Sequence, residues 1–405
     1  MMKKRSIAAL LALLLMIVQL QVTALSFPFN FGGSKEETVT ITKEEYERLK
    51  QYEKLDEVRL FLEKYYYQEP DETALLEGAI QGLLAGTGDV YTFYYPEESW
   101  NTLWEEDEGK YAGIGIQMLG SYETNLVTIT RVFKGTPAEA AGIRKGDILF
   151  KVEDLEITVA TLQDAVNVMR GVPGEKVHVE LIRESEVLPF DVIKAEIIIN
   201  RVESMMLEEN IGYIAHYEFA GESFEDFKKA FDALSAAGME ALIIDLRDNG
   251  GGWVQDGVRL ADMFLDKKML FYTENREGRE ETFTQEGMNA IPLVILVNEN
   301  SASTSEIVSA AMKDYKRATL VGTNTFGKGL IQMVMSLSDG KSGFQFTSAQ
   351  YFSPLGNQVH KEGVEPDIEV ELPEDMVHSL TKLGDMSDPQ LKAAFDEALN
   401  LLSTK

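Results

Sequence analysis

The sequence predicts an α/β protein with an alternating strand–helix core, a smaller β-rich unit inserted before it and helical segments at both ends. Three observations support this prediction. From Ile211 onward, apolar strands alternate with amphipathic helices, which favours a sheet with right-handed crossovers. A run of short strands punctuated by glycine occupies 111–197. Apolar residues recur at helical spacing in 43–84 and again in 375–402.

The composition excludes several classes of function. The chain has 405 residues, 44% of them hydrophobic and 26% charged, as expected of a globular protein with more than one domain. Its net charge of -29 argues against nucleic acid or an anionic membrane surface as the main partner, because both would repel it. The absence of cysteine excludes disulfides and thiolate catalysis. The 4 histidines are too scattered for metal ligation, so we expect no metal and no other cofactor.

The N-terminus has the pattern of an export signal. The basic run Lys3-Lys-Arg5 precedes the apolar stretch Ile7–Val18, and the small residue Ala24 follows. This order of charged, apolar and small residues is typical of exported proteins. We therefore predict that residues 1–25 direct the chain to the cell envelope or the exterior, either as a cleaved signal or as a retained membrane anchor.

A linker and an N-terminal helical region are predicted over 26–110. One helix is expected over 43–67, because apolar residues such as Leu55 and Val58 fall on one face, and a second over 72–84. These helices, like the C-terminal helical region, have more apolar positions than a lone helix needs. That surplus fits a homodimer or packing within one subunit equally well.

The inserted unit, 111–197, has an ordered set of punctuated elements. A strand over Leu126–Val132 leads to a short helix that Pro137 starts and Gly142 stops. The strand Ile148–Val152 and an amphipathic helix over Leu162–Met169 follow. This order of elements resembles that of a PDZ domain. The resemblance is most specific from the end of the strand Leu126–Val132 through the strand Ile148–Val152.

The resemblance to a PDZ domain implies a groove that binds a polypeptide C-terminus as an added strand. In such domains the backbone N–H groups of a glycine-containing loop hold the terminal carboxylate. In this sequence the loop is Tyr111–Ile116, and the far wall of the groove is the helix predicted over 162–169. The peptide-binding residues are then Gly113, Ile114, Gly115 and Ile116. By themselves, the two glycines would fit a simple β-bulge as well.

Two short segments of the core, 198–372, have the residues of a serine nucleophile and its base. Ser303 lies in Asn300-Ser-Ala-Ser-Thr-Ser-Glu306, where a helix is predicted to begin, and Lys328 lies between glycines in Thr325-Phe-Gly-Lys-Gly-Leu-Ile-Gln332. A serine hydroxyl needs a base to take its proton. Lysine serves as that base when burial or a nearby cation lowers its pKa. From spacing alone, Ser301 and Ser305 remain rival nucleophiles.

A glycine-rich turn supplies candidate oxyanion donors. The segment Asp245-Leu-Arg-Asp-Asn-Gly-Gly-Gly252 follows a buried-looking strand, and its exposed amides can supply one backbone donor. The amide of Thr304, beside the candidate nucleophile, can supply the other. A tight strand-to-helix turn without any catalytic role would also use glycines.

The order of these motifs resembles the C-terminal processing (tail-specific) serine peptidases. That order is a PDZ domain, Leu246-Arg-Asp-Asn-Gly-Gly-Gly252, Ser301-Ala-Ser-Thr-Ser-Glu306, then the lysine segment, with Gly363-Val-Glu-Pro-Asp-Ile368 as a closing match. The resemblance covers nearly the whole chain after the export segment. It implies a crotonase-like α/β peptidase core with an inserted PDZ domain and flanking helical segments.

The resemblance also implies a role for particular residues: Ser303 as nucleophile, Lys328 as general base, Gln332 as the residue that orients the lysine, Gly251 and Thr304 as oxyanion donors, and Arg170 as a coupler of PDZ ligand binding to the active site. Arg170 could equally be a basic residue near a helix C-terminus. Thr304 and Gly250 depart from the family's usual alanine and proline. Because oxyanion donors are backbone amides, neither change should remove them.

The predicted function is that of an exported serine endopeptidase. It would bind unstructured, apolar C-termini of polypeptides and hydrolyse peptide bonds in exported proteins. One alternative is a non-catalytic PDZ adaptor. Another is a nucleotide-binding P-loop at Gly322-Thr-Asn-Thr-Phe-Gly-Lys328, but Gly329 replaces the metal-binding Ser or Thr and the following run is strand-like.

The C-terminal helical region is expected over 373–405.

Overall fold

The computed structural model describes residues 39–121, 124–285, 287, 289–373, 376 and 382–404. The predicted export segment lies outside these residues, as do 377–381 of the predicted C-terminal helix. Within the described ranges, no helix is both long and apolar enough to span a bilayer. The chain divides between Leu75 and Leu76 into two compact units.

The N-terminal unit contains two short helices where a single helix was predicted over 43–67. They are α1 (Lys43–Lys50) and α2 (Glu53–Tyr65). Thr42 caps α1: its side chain accepts a hydrogen bond from the Glu45 amide, and the Glu45 carboxylate accepts one from the Thr42 amide. The prediction was wrong at Gln51 and Tyr52: Gln51 caps the end of α1, and Tyr52, with a ψ of 3°, precedes the start of α2. Neither helix has a buried side chain within the part of the chain described.

The segment that leads to the inserted unit contains one strand and two helices: α3 (Glu72–Ala85), β1 (Phe93–Tyr95) and α4 (Glu97–Glu108). β1 pairs antiparallel with a strand near the end of the core, at Phe344. Trp100 on α4 is only 6% exposed and packs where a side chain at Gly343 would collide with its ring. The Trp100 ring therefore packs against the strand that contains Gly343.

The inserted unit is a small β-structure with two helices. Its elements are β2 (Lys110–Gly113), β3 (Ile116–Ser121), β4 (Leu126–Val132), α5 (Pro137–Ala141), β5 (Ile148–Val152), β6 (Leu155–Glu156), α6 (Leu162–Met169), β7 (Lys176–Arg183), β8 (Glu186–Ile193) and β9 (Ala195–Ile198). One sheet has the order β3-β4-β5-β7-β8, with β6 on β5, and β2 pairs with β9. The predicted bounds of β4, β5 and α6 are confirmed. Fully buried Val127, Ile129 and Leu149 form its core.

Within the described ranges, the core continues with these strands and helices: β10 (Val202–Met206), β11 (Ile211–His216), α7 (Ser223–Ala236), β12 (Ala241–Asp245), α8 (Val254–Asp262), β13 (Met269–Asn275), β14 (Gly278–Phe283), β15 (Leu293–Val297), α9 (Thr304–Asp314), β16 (Thr319–Gly322), β17 (Leu330–Ser336), β18 (Gly343–Phe352), β19 (Ile368–Glu369) and α10 (Pro389–Ser403). Six strands form a sheet in the order β10-β11-β12-β15-β16-β19. All of its pairings are parallel except that of β10 with β11.

Helices cover both faces of this sheet. On one face, apolar side chains of α7, α8 and α9 pack against the strands, with Phe227, Leu260 and Val308 fully buried. On the other face α10 packs through Leu391 and Ala394. Burial on both faces explains why β12 and β15 are continuous apolar runs without alternation.

The C-terminal helix is shorter than the predicted 375–402. It begins at Pro389, where the carboxylate of Asp388 accepts hydrogen bonds from the amides of Gln390 and Leu391. A capping aspartate followed by proline is a strong helix start, which explains the later boundary.

A second sheet has the order β1-β18-β13-β14, with β17 also paired to β18, and only β17 and β18 follow the lysine segment in the chain. Because Lys328 leads into the strand β17 and not into a helix, its segment lacks the architecture of a P-loop.

Candidate active site

Three loops at one edge of the parallel sheet form the candidate site. β12, β15 and β16 are neighbours in the sheet. The glycine-rich turn follows β12, the Ser303 segment follows β15 and the Lys328 segment follows β16. The carboxyl ends of parallel strands share an edge, where α/β proteins commonly place their ligands. The topology therefore brings together three segments that are separated in the sequence.

Ser303 has an unusual backbone geometry at the start of α9. Its φ of 57° and ψ of -115° lie outside the regions that residues with a side chain normally adopt. Such strain persists only where the surroundings enforce it, and it is concentrated at functional sites. Its carbonyl accepts a hydrogen bond of 3.1 Å from the hydroxyl of Tyr351. The side chain is half-buried, so a substrate can reach it.

The two rival serines are fully buried and bind the backbone of the glycine-rich turn. The Ser301 hydroxyl donates to the carbonyl of Leu246 at 2.8 Å, and the Ser305 hydroxyl donates to that of Asn249 at 3.0 Å. Both side chains have 0% exposure. Their geometry is that of structural groups, which leaves Ser303 as the accessible hydroxyl of the segment.

The carboxylate of Glu306 joins the nucleophile segment to the lysine segment. It accepts a hydrogen bond from the Ser303 amide at 2.8 Å and another from the Lys328 amide at 2.9 Å. The amide of Gly327 and the hydroxyl of Thr325 donate to its other oxygen, each at 2.6 Å. Burial raises the pKa of this carboxyl group, and the hydrogen bonds oppose that effect. The sequence contained this glutamate as the third helical residue after a serine, a capping pattern, but did not indicate that it binds both segments.

Lys328 is held in an environment that favours its neutral form. Burial lowers the pKa of its ammonium group, while the carboxylates of Glu306 and Asp89 act in the opposite direction. Its Nζ atom lies 4.8 Å from the centre of the Tyr91 ring. In the described part of the chain, no hydrogen bond joins Nζ to the hydroxyl of Ser303. The two residues therefore lie in loops at the same sheet edge, with no hydrogen bond between their side chains among the described residues.

The segment before β1 was not predicted to reach the lysine. Asp89 accepts hydrogen bonds from the Tyr91 amide at 3.0 Å and the Thr92 hydroxyl at 2.6 Å, which fixes the turn. The Thr92 hydroxyl in turn accepts a bond from the amide of Thr347, on β18. Thr92 and Thr347 are 255 positions apart in the sequence, so no local sequence pattern could have revealed this contact.

Among the described residues, no hydrogen bond joins the side chain of Gln332 to that of Lys328. The Gln332 side-chain amide donates to the hydroxyl of Thr347 at 3.3 Å. The pairing of β17 with β18 shifts register between Ile331 and Gln332, and such a bulge redirects the side chains that follow it. The structure thus places Gln332 on the strand beside the site, with its amide bound to β18.

The glycine-rich turn lies against Ser303. A side-chain carbon at Gly251, where φ is 99°, would lie 2.7 Å from Cβ of Ser303 and 2.9 Å from the Thr304 nitrogen. The Gly251 amide, one of the predicted oxyanion donors, is engaged with Oδ1 of Asn249 at 2.9 Å. Among the described residues, the amides of Gly252 and Thr304 have no hydrogen-bond partner. Both remain available to a developing oxyanion.

The predicted peptide groove lies between β3 and α6. It has a volume of about 320 Å³, and its apolar walls include Ile114, Ile116, Leu162 and Val166. Gly113 was predicted in the loop but is the last residue of β2, paired with Ala195, because β9 returns to close the unit.

The remaining loop is formed by Ile114 and Gly115. Their carbonyls accept bonds from the amides of Ala138 and Phe133, at 2.9 and 3.0 Å. No partner for the amide of either residue exists within the described ranges, as a carboxylate-binding loop requires. A side chain at Gly115 would lie 2.4 Å from Cβ of Thr136, so only glycine fits there.

Arg170 lies at the end of the groove, immediately after α6. Its guanidinium group stacks 4.7 Å from the centre of the Tyr111 ring, and Nη1 is 3.8 Å from a carboxylate oxygen of Glu105. Tyr111 and Arg170 both line the groove, together with Ile199 and Glu218 from outside the inserted unit. Arg170 is therefore positioned between the groove and α4.

A peptide groove, together with a strained, accessible serine and a half-buried lysine at one edge of the parallel sheet, is the combination of one class, the serine peptidases with a PDZ domain. Comparisons with known proteins agree. Residues 210–370 match the model of peptidase family S41, residues 128–183 match a PDZ domain, and residues 26–99 match the N-terminal domain of the activating protease CtpB.

The chain belongs to the carboxyl-terminal processing proteases of family S41. It is 34% identical over 326 residues to the carboxyl-terminal-processing protease of Synechocystis sp., an alignment that covers 78% of this chain and 75% of the relative. It is 31% identical to CtpA of Bacillus subtilis, covering 80% and 70%. Its fold is similar to that of a solved photosystem II D1 C-terminal processing protease, with a TM-score of 0.63, 29% identity and coverage of 87% and 100%. The predictions of a serine-type peptidase and a PDZ domain are confirmed.

Proposed function

We propose that this protein is an exported endopeptidase in which Ser303 is the nucleophile and Lys328 the general base. The observation that carries the proposal is the Glu306 carboxylate, which binds the backbone amides of both residues and so seats them at one site. Burial that lowers the pKa of Lys328 supports its role, because only a neutral amine can take the serine proton. The parallel sheet with its inserted PDZ domain also supports a crotonase-like peptidase core.

In the proposed reaction, Lys328 takes the proton of the Ser303 hydroxyl as its oxygen attacks the peptide carbonyl. The amide of Thr304 and an amide of the glycine-rich turn, for which Gly252 is unengaged, bind the oxyanion that forms. The lysine ammonium then protonates the departing amine, leaving an acyl-enzyme on Ser303. Water, deprotonated by the same lysine, releases the carboxylic acid and restores the enzyme.

Two further residues have supporting roles in the proposal. Gln332 would orient the lysine from β17, after turning away from Thr347. The ring of Tyr91, 4.8 Å from Nζ, would stabilise the ammonium that forms when the lysine accepts the proton.

We propose that the substrates are polypeptides with unstructured, apolar C-termini. The apolar groove lined by Ile116 and Val166 and the unengaged amides of Ile114 and Gly115 support this proposal. They match the two parts of a chain terminus, an apolar side chain and a carboxylate.

The site of action and the assembly are also proposals. The basic and apolar order of residues 1–25 supports export, with or without a retained membrane anchor. Exposed apolar side chains along α1 and α2, such as Leu49, Val58 and Phe61, support a homodimer formed through the N-terminal unit. Size-exclusion chromatography with light scattering, on the wild type and on a Val58→Glu/Phe61→Glu variant, would test the dimer. A wild-type mass equal to that of one chain would exclude it.

The decisive experiment for the chemistry uses an unstructured peptide with an apolar C-terminus. Ser303→Ala and Lys328→Ala should each abolish cleavage, and a fluorophosphonate should label the wild type at Ser303 but not the serine variant. Ser235→Ala and Lys229→Ala, which change exposed residues of α7, are the matched controls and should cleave normally. Cleavage by the variants at the wild-type rate would contradict the assignment. Absence of cleavage by every form, the wild type included, would favour a peptide-binding adaptor.

A further inference from the structure

One ion pair crosses from the PDZ domain to the segment that leads into the glycine-rich turn. The ammonium of Lys145, in the turn after α5, donates a hydrogen bond to Oδ2 of Asp248. Asp248 follows the end of β12 and comes 103 positions after Lys145 in the sequence. This contact therefore links the peptide-binding domain to the loop that lies against Ser303.

Asp248 is a carboxylate that needs this partner. Its side chain is only 14% exposed, and its backbone is in the left-handed region with a φ of 59°. Side-chain amides of Asn298 and Asn300 donate to its other oxygen, each at 2.9 Å. Burial alone would raise the pKa of Asp248, but Lys145 and these amides outweigh burial and lower it. Without the Lys145 ammonium, the Asp248 carboxylate would be a buried charge without a counter-ion. Because such a charge is energetically costly, we expect the Asp248 side chain to move.

A movement of Asp248 would reach the nucleophile through the next residue. Oδ1 of Asn249 accepts the amide of Gly251 at 2.9 Å. The carbonyl of Asn249 accepts the amide of Ala302 at 3.0 Å and the hydroxyl of Ser305 at 3.0 Å. These residues flank Ser303 on both sides. The glycine-rich turn and the nucleophile segment are thus one hydrogen-bonded body, and Asp248 is where the PDZ domain holds it.

A second cationic contact of the PDZ domain with the core, that of Arg131, has a different target. The guanidinium of Arg131 lies 3.4 Å from the centre of the Tyr217 ring and donates to the carbonyl of Asn200. It therefore docks the domain on residues that flank β10 and β11. Lys145, in contrast, contacts the turn itself.

We propose that Lys145 is a positioning residue for the peptidase reaction: from the PDZ domain, it neutralises Asp248 and thereby holds the glycine-rich turn against the nucleophile. The PDZ domain then acts on catalysis through a single charge, apart from its capture of the substrate's tail. The inference rests on the proposed function, because it assumes that Ser303 is the nucleophile.

The test separates catalysis from tail binding in the full-length protein. Lys145→Met should lower kcat about tenfold, the size expected of a broken pairwise contact, while KM for an apolar-tailed peptide is unchanged. The rate of fluorophosphonate labelling at Ser303 should fall by the same factor. Lys176→Met is the matched control, because Lys176 is a PDZ lysine paired with Asp191 of the same domain at 2.9 Å, and it should leave both rates unchanged.

A second substitution distinguishes positioning from a loss of folding. In Asp248→Asn/Lys145→Met no lone buried charge remains, so this double variant should recover most of the kcat that Lys145→Met loses. Should Lys145→Met fail to fold, Lys145→Gln, which keeps a hydrogen-bond donor without charge, takes its place with an expected intermediate kcat. An unchanged or increased kcat in the folded lysine variant, or no recovery in the double variant, would overturn the proposal. Full cleavage by Ser303→Ala would instead overturn the proposed function and leave the ion pair a separate question.

Discussion

Around Ser303, buried groups bind one another, whereas the peptide groove is formed by apolar side chains and a short stretch of free backbone. Glu306 alone accepts hydrogen bonds from four groups of its surroundings. In the groove, Ile116 and Val166 present surface without polar partners. The difference follows from the role proposed for each region. Proton transfer and oxyanion binding require atoms held within fractions of an ångström, while tail binding has to accept varied side chains.

The largest loss of activity is expected at Gly251, where there is no room for a side chain beside Ser303. Gly251→Ala would force a side-chain carbon to within 2.7 Å of Cβ of Ser303 at a φ of 99°. We expect kcat/KM to fall by about a thousandfold or more, since the turn and an oxyanion donor must move. Gly250→Ala is the matched control, because a side-chain carbon there meets nothing within 4 Å, and it should cost little. Equal losses in steady-state cleavage by the two variants would contradict this account.

The next effect tests whether the Glu306 carboxylate preorganises the site. Glu306→Gln replaces one acceptor oxygen with an NH₂ group that faces backbone donors, so we expect kcat to fall about a hundredfold and the melting temperature to drop. Glu299→Gln changes an exposed glutamate of the same loop region and should be neutral in both measurements. A Glu306→Gln enzyme with wild-type kcat would show that the carboxylate only supports folding.

A smaller effect, of a different kind, is expected in the groove. Val166→Asp places a charge on its apolar wall, so KM for an apolar-tailed peptide should rise about tenfold with kcat nearly unchanged. Val168→Asp, on the same helix but outside the groove lining, should leave KM as it is. A change in kcat alone, measured over a full substrate range, would mean that the groove does not bind the tail.

The smallest effect on activity at neutral pH concerns His216, beneath the glycine-rich turn. Its ring is fully buried 4.4 Å from that of Phe219, no partner for its nitrogens exists among the described residues, and burial lowers its pKa to about 3. Because the unfolded side chain has a pKa near 6.5, the unfolded state binds more protons between these two values. As the pH falls from the unfolded to the folded pKa of His216, the free energy of unfolding should therefore decrease by about 1.4 kcal/mol per pH unit.

His216→Leu removes this proton binding. Urea unfolding of the wild type and the variant across pH 3 to 8 measures the difference directly. The wild type should lose stability relative to the variant as the pH falls, while the two have similar cleavage rates at pH 8. Parallel stability curves would show that His216 is protonated as easily in the folded protein as in the unfolded one.

Prediction from the sequence succeeded where the signal is local. Pro137 and Gly142 bound a short helix in the structure as predicted, and the strand Ile148–Val152 has its predicted limits. Prediction failed where a boundary depended on one residue's backbone or on packing elsewhere, as at Tyr52 and Gly113. Gly113 appeared to be a loop residue because its strand partner, Ala195, is remote in the sequence.

The sequence by itself determined the segments that form the candidate site, since motifs such as those around Ser303 and Lys328 are short and contiguous. It also determined the family, because the motifs follow one another in a fixed order. Only the tertiary structure decided what surrounds them. Tyr91 beside the lysine and Lys145 on Asp248 are contacts between residues far apart in the chain. Such contacts depend on the order of strands in the sheet and on how the domains dock. Neither can be predicted from the spacing of residues that are close in the sequence.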